Sequence, residues 1–276
     1  MACIVGSCSA FRDLRSGAER AEDLMEASGW AVQRFETNQF SVLGYVPSTI
    51  SENDRLAVYI EGDGASWITP ITPPRDPTPN EPLMLRLALQ DPTPNRLYLG
   101  RPCQYLSREA LAACDPIYWT SHRYAPEVVK SLNEAIEQRK RVTGAKNIAL
   151  FGYSGSGGLA ILIASKRQDV RLIVTIAGNL DHAAWTKVNH DAALQGSLNA
   201  ADIANAVAAI PQFHFVGLRD KIVPPAIVKS YVNQIVDKSR ISIITIADID
   251  HTCCWVDRWP ALICGVHRDH CRFLNH

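Results

Sequence analysis

The chain has 276 residues, 47% of them hydrophobic and 20% charged, which is enough apolar side chain for a sizeable core and unlike a disordered segment. Its 28 basic and 28 acidic side chains cancel, and no basic stripe offers a footprint for nucleic acid, so that partner is not expected.

At the front, "IVGSC" resembles the end of a bacterial lipoprotein signal, with Cys8 as the lipid-bearing residue, although few apolar residues precede it. We expect residues 1–30 to be an N-terminal segment, a signal remnant followed by a polar helix near 16–28. Residues 31–276 then read as one domain. The stretch "AVQRFETNQFSVLGYVP" predicts two antiparallel strands ending at Pro47. Six short apolar, β-branched runs follow: "RLAVYI" (55–60), "NRLYLG" (95–100), "NIALFG" (147–152), "RLIVTIAG" (171–178), "FHFVG" (213–217) and "ISIITIA" (241–247). Runs of this kind suit strands buried on both faces, and helix-period segments such as "APEVVKSLNEAIEQRKRV" and "PPAIVKSYVNQIV" separate most of them. The predicted fold class is therefore α/β: a mostly parallel central sheet of about eight strands with helices on both faces.

Two insertions interrupt the alternation. Residues 66–82 hold six prolines and predict a stiff surface loop, and residues 179–211 carry His182, Trp185 and His190. Both follow strands at the carboxyl edge of the sheet, where ligands bind in open α/β folds.

Between the strand and helix of "NIALFGYSGSGGLAILIASK" the chain passes through Gly152, Ser154, Gly155 and Ser156. A serine on a sharp strand-to-helix turn needs small neighbours two residues before and after it, which places Ser154 at the apex. Here the chain resembles the α/β-hydrolase superfamily, whose elbow is G-x-S-x-G, from about Ala57 onward; Ser156 stands in place of the last glycine. Ser156 is a rival apex, flanked by Ser154 and Gly158, but the apolar run stops at Phe151 and favours Ser154. No lysine follows at the spacing a phosphate-binding loop requires.

The resemblance implies partners in the order serine, acid, histidine. Asp220 in "LRDKIVPP" matches the acid position, with Asp181 as its serious rival and Asp248 and Asp250 as weaker ones, and His251 in "DIDHTCCW" follows the last strand. The resemblance also assigns oxyanion donors: the backbone amides of Gly155 and of Asp63 in "YIEGDGASW". Glu61 stands there where the family often has histidine, and the Asp63 carboxylate is expected to turn away or bind something polar. Trp67, Tyr118, Trp119 and Trp185 are candidates for a substrate pocket and equally for core.

No cofactor is implied. The spacing Cys264-x-x-His267-x-x-His270-Cys271 raises a zinc site, yet Cys253 and Cys254 nearby make disulfides the simpler use, and no metal is expected. Cys103 and Cys114 flank a short stretch and are expected to pair, with the pairing among Cys253, Cys254, Cys264 and Cys271 open. Cysteines grouped this way favour an oxidising compartment: an exported protein, periplasmic or lipid-anchored if bacterial, with a cytoplasmic enzyme as the alternative. Membrane contact is expected only through a lipid at Cys8. Oligomeric state is not legible in the chain.

The function these residues imply is a serine hydrolase cleaving small-molecule carboxylic esters through an acyl-enzyme. Peptidase, thioesterase and lipase activities use the same residues, and a hydrolase-like binding protein is the alternative outside catalysis.

Overall fold

The computed structural model describes residues 15–69 and 72–266. Cys8, His267, His270 and Cys271 lie outside the described residues. Helix α1 (Gly17–Ala27) opens on a Ser16–Glu19 capping box, which satisfies amides that the first turn would leave bare. Strands β1 (Trp30–Glu36) and β2 (Ser41–Pro47) pair antiparallel, as the sequence predicts. The alternation then runs through β3 (Arg55–Ile60), α2 (Leu83–Gln90), β4 (Arg96–Leu99), α3 (Arg108–Leu111), α4 (Pro126–Thr143), β5 (Asn147–Tyr153), α5 (Ser156–Ala164) and β6 (Val170–Ile176). It closes with α6 (His182–Asn189), β7 (Gln212–Gly217), α7 (Pro225–Asn233), β8 (Ile241–Ile246) and α8 (Trp255–Val266).

All eight strands form one sheet in the order β1-β2-β4-β3-β5-β6-β7-β8. β2 is antiparallel to both neighbours, and every pair from β4 onward is parallel. Period-two alternation divides the core between two faces. In β5, Ile148 and Leu150 point to the side covered by α4, α5 and α7, while Ala149, Phe151 and Tyr153 point to the side covered by α1, α2 and α8. Helix α5 is buried along its whole length, so its apolar residues show no polar face.

The chain runs from β3 out to β4 and returns to add β5 on the other side of β3. Strand order reverses between β3 and β5, and the crevice beyond their carboxyl ends is where an open α/β sheet offers a ligand site.

The insertion at 179–211 is partly helical rather than a bare loop: it holds α6 and a 3-10 helix, Ala200–Val207. Helix α8 carries Pro260 inside it, which hides its helical pattern in the sequence. Cys103 is bonded to Cys114 as expected, Cys253 to its neighbour Cys254, and Cys264 is disulfide-bonded too. No helix among the described residues is long and apolar enough to cross a membrane.

Candidate active site

Strand β5 runs to Tyr153, and Ser154 then adopts φ 52°, a left-handed conformation that few non-glycine residues take. The turn is tight: a Cβ on Gly152 would lie 2.1 Å from the Ser156 carbonyl oxygen, so only glycine fits there. The backbone around Ser154 is fully tied, its amide donating to Ile176 O (3.0 Å) and its carbonyl accepting from Gly157 N (3.0 Å) and Asn179 N (2.8 Å). These bonds hold the strained apex in place. The rival serine is used otherwise: Ser156 is wholly buried at the start of α5, and its hydroxyl donates to the Glu61 carbonyl.

Ser154 Oγ lies 3.0 Å from His251 Nε2, and His251 Nδ1 lies 2.8 Å from Asp220 Oδ2. The two contacts fix a tautomer in which Nδ1 carries the proton toward Asp220 and Nε2 is the acceptor beside Ser154. Asp220 follows β7 and is itself held, Oδ1 accepting from the amides of Ile222 (2.9 Å) and Val223 (2.8 Å). His251 follows β8, and its carbonyl accepts from the Tyr153 hydroxyl (3.1 Å) and from Trp255 Nε1 (3.0 Å). The other acids are committed elsewhere. Asp181 caps α6 and binds Ser230 Oγ (2.6 Å) and Asn199 Nδ2 (3.1 Å); Asp250 accepts the amides of Thr252 and Cys253; Asp248 pairs with Arg258.

The segment after β3 forms the facing wall. A Cβ on Gly62 would lie 3.5 Å from the Ser154 Cβ, and one on Gly155 would lie 2.2 Å from an oxygen of the Asp63 carboxylate, so the two backbones pass closely. Neither the Asp63 amide nor the Gly155 amide donates to any described residue. The Asp63 carboxylate lies against Gly155 and pairs with Arg101 and with Arg123 Nη1 (3.2 Å). Burial pushes its carboxyl upward, but the two guanidinium groups outweigh that and hold it below the usual carboxylate range. Glu61, two residues earlier, has no cationic partner among the described residues. Burial pushes it up to about 7, against the pull of the Gly62 and Met84 amides and the Tyr98 hydroxyl.

Between the walls lies a cleft of about 570 Å³. Trp67, Trp185, Tyr153 and Val223 give it an apolar side, and Arg123 and Asn179 lie in its polar lining. Trp185 is fixed by its Nε1, which donates to Ile222 O at 2.7 Å. Two of the four pocket candidates, held equally open as core, are elsewhere. Asp115 and Pro116 start a 3-10 turn, Pro116–Trp119, that drives Trp119 into the core and leaves Tyr118 edge-on to Phe40 with its hydroxyl on Gln39 Nε2. Neither lines the cleft. Sequence reading missed Arg123 and Asn179, and no local pattern marks them: Arg123 meets Asp63 across 60 residues. Among the described residues, no group of three or more His, Cys, Asp or Glu side chains could hold a metal ion.

An eight-stranded, mostly parallel sheet with helices on both faces and a strained serine at the β5–α5 turn is an α/β-hydrolase fold, and the chain has that fold. No protein-family model matches the chain, and no curated protein matches it in sequence. Among solved structures it is similar to Est1E from Butyrivibrio proteoclasticus, with 10% identity and TM-score 0.60 over 86% of this chain and 97% of that one. An esterase of Pyrococcus furiosus aligns at 13% identity and TM-score 0.60 over 90% and 94% of the two chains. The acylaminoacyl peptidase of Pyrococcus horikoshii aligns at 13% identity and TM-score 0.59 over 87% of this chain and 40% of its own.

Proposed function

We propose that the protein is a serine hydrolase that cleaves carboxylic esters through an acyl-enzyme on Ser154. The observation that carries this reading is His251 standing between Ser154 Oγ and Asp220, at 3.0 Å and 2.8 Å, opposite two undonated amides. In the reaction, His251 Nε2 takes the hydroxyl proton as Oγ adds to the ester carbonyl carbon. The carbonyl oxygen gains the negative charge, which the amides of Gly155 and Asp63 receive. Collapse breaks the bond to the alcohol oxygen, and the imidazolium returns its proton to that oxygen as the alcohol leaves. Water repeats the sequence on the acyl-serine, releasing the acid and restoring Ser154. Asp220 keeps Nδ1 protonated and stabilises the charged ring.

Preorganisation supports the assignment. The Asp63 carboxylate would repel a developing oxyanion if it were bare, but Arg101 and Arg123 neutralise it. The Cys103–Cys114 disulfide supports export as the setting for this activity. A fluorophosphonate probe with peptide mapping tests the reading: label on Ser154, together with hydrolysis of p-nitrophenyl butyrate, is expected. Label on Ser156, or no label and no hydrolysis, would sink it.

A further inference from the structure

The cleft holds two donors that nothing in the described chain uses. Arg123 is only 4% exposed; its Nε donates to Thr120 O (2.7 Å) and its Nη1 to Asp63 (3.2 Å), while Nη2 has no partner. Asn179 is also 4% exposed, and its side chain makes no hydrogen bond. Its Oδ1 is sealed from solvent, so the atom it turns to the cleft is the donor Nδ2. Both residues stand close to the reacting serine. The Asn179 amide donates to Ser154 O, and the Asp63 carboxylate that holds Arg123 lies against Gly155.

Charge adds to geometry. Arg101 and Arg123 share one carboxylate, Asp63, so the trio carries one excess positive charge beside the cleft. Of the other acids lining the cleft, Glu81 is already paired with Arg20 and Arg86, and buried Glu61 is pushed by that burial toward its neutral form. A buried cation whose donors are unfilled is unfavourable in the empty protein and becomes favourable when an anion arrives, because a charge-assisted hydrogen bond in a low-dielectric site is strong.

We propose that Arg123 Nη2 and Asn179 Nδ2 form a subsite for a carboxylate carried by the substrate, so that the ester this cleft prefers is an acidic one. The proposal rests on the ester-hydrolase reading of Ser154. Two unfilled donors in the lining of one cleft suit a carboxylate, whose two oxygens can take one bond each. The apolar wall of Trp67, Trp185 and Val223 then receives the remaining carbon chain.

Two matched ester pairs test it. Monomethyl adipate against methyl hexanoate puts the charge on the acyl side, and 3-(butanoyloxy)propanoate against propyl butanoate puts it on the alcohol side. In one pair, kcat/KM is expected to favour the acidic ester by at least about tenfold. Asn179→Asp, which sets a second carboxylate beside the bound one, should invert that ratio. Because each ratio is taken within one variant, a general loss of activity cancels. As a readout independent of turnover, adipate should slow fluorophosphonate labelling of Ser154, and hexane-1,6-diol should not. Equal or lower kcat/KM for the acidic ester in both pairs, with the neutral esters hydrolysed, overturns the carboxylate subsite and leaves the hydrolase reading standing. Absence of both hydrolysis and labelling overturns the hydrolase reading, and the subsite with it. Labelling without hydrolysis leaves the decision to adipate: protection supports the subsite, and its absence overturns it.

Discussion

The two walls of the cleft are built by opposite means. On the wall formed by the ends of β5, β7 and β8, backbone turns deliver the side chains of the proposed triad: Ser154, Asp220 and His251 each sit just beyond a strand. On the wall formed by the segment after β3, buried side chains deliver backbone amides. Arg101 and Arg123 grip the Asp63 carboxylate, Gln104 Nε2 donates to Gly62 O (3.0 Å), and Ser156 donates to Glu61 O. In the proposed mechanism, chemistry is thus concentrated in single side chains on one wall and spread over a network on the other. Substitutions should separate the two, abolishing activity on the first wall and lowering activity together with stability on the second.

The largest effect is expected from Ser154→Ala. Removing a member of a nucleophile–base–acid unit costs roughly 10⁴ to 10⁶ in kcat, because attack and proton transfer act together. Stability should change little, since the φ of 52° is as strained for Ala as for Ser and only the contact with His251 Nε2 is lost. Ser156→Ala is the contrast, since its hydroxyl only ties the start of α5 to the Glu61 carbonyl. It should retain most activity and lose about 1 kcal/mol of stability, the typical net value of one buried hydrogen bond. Esterase rates and thermal melting of the two variants check this; equal rate losses would erase the distinction between the walls.

Next in size is Arg101→Ala. Removing one guanidinium leaves the Asp63 carboxylate with Arg123 alone and opens a space beside the Asp63 amide. Breaking a buried ion pair by deleting one partner costs roughly 3 to 5 kcal/mol, and displacing one oxyanion donor costs roughly 10² to 10³ in kcat. Both losses are expected in the same variant, with KM changing less than kcat. A variant that melts early but turns over at the wild-type rate would show that the network supports the fold without placing the amide.

This division explains what the amino-acid sequence reveals. Strand ends are local signals, and Ser154, Asp220 and His251 fall one to five residues beyond apolar runs that can be read by eye. The eight-strand sheet follows from the same runs. Arg101, Arg123 and Asn179 lie in loops where any charge or amide is ordinary, and their partners are fixed only by the folded chain. Tyr118 and Trp119 stayed undecided between pocket and core for a related reason. Composition shows that an aromatic pair follows Asp115 and Pro116, but the 3-10 turn decides which way the rings point.

The effect most specific to the second wall, and the one expected to change activity least, concerns its two acids. Glu61 is buried and Asp63 half-buried, yet Asp63 is held low by two guanidinium groups and Glu61 is pushed by burial to about 7. Their contributions to stability therefore slope in opposite directions with pH. The native state holds the Glu61 proton over a range where the unfolded chain, with a value near 4.5, has released it. Stability from this group is complete below about 4.5 and is lost as pH rises through about 7. The displacement corresponds to about 3 kcal/mol at about 1.4 kcal/mol per pH unit. Asp63 contributes above the ordinary aspartate range and is lost on acidification. Urea unfolding of the wild type and Glu61→Gln from pH 4.5 to 8 isolates the first slope, because the other titrating groups are common to both. The wild type should lose stability relative to Glu61→Gln as pH rises, and the difference should level off above pH 8. The Tyr98 hydroxyl lies 3.1 Å from Glu61 Oε2 and 2.7 Å from the Tyr105 hydroxyl, so an ionised Glu61 requires both hydroxyl protons to point toward it. Tyr105→Phe removes the far donor, should make the charged form less favourable, and should move the loss to higher pH. Parallel curves for the wild type and Glu61→Gln would mean that Glu61 is ionised throughout, and that the second wall carries two buried negative charges rather than one.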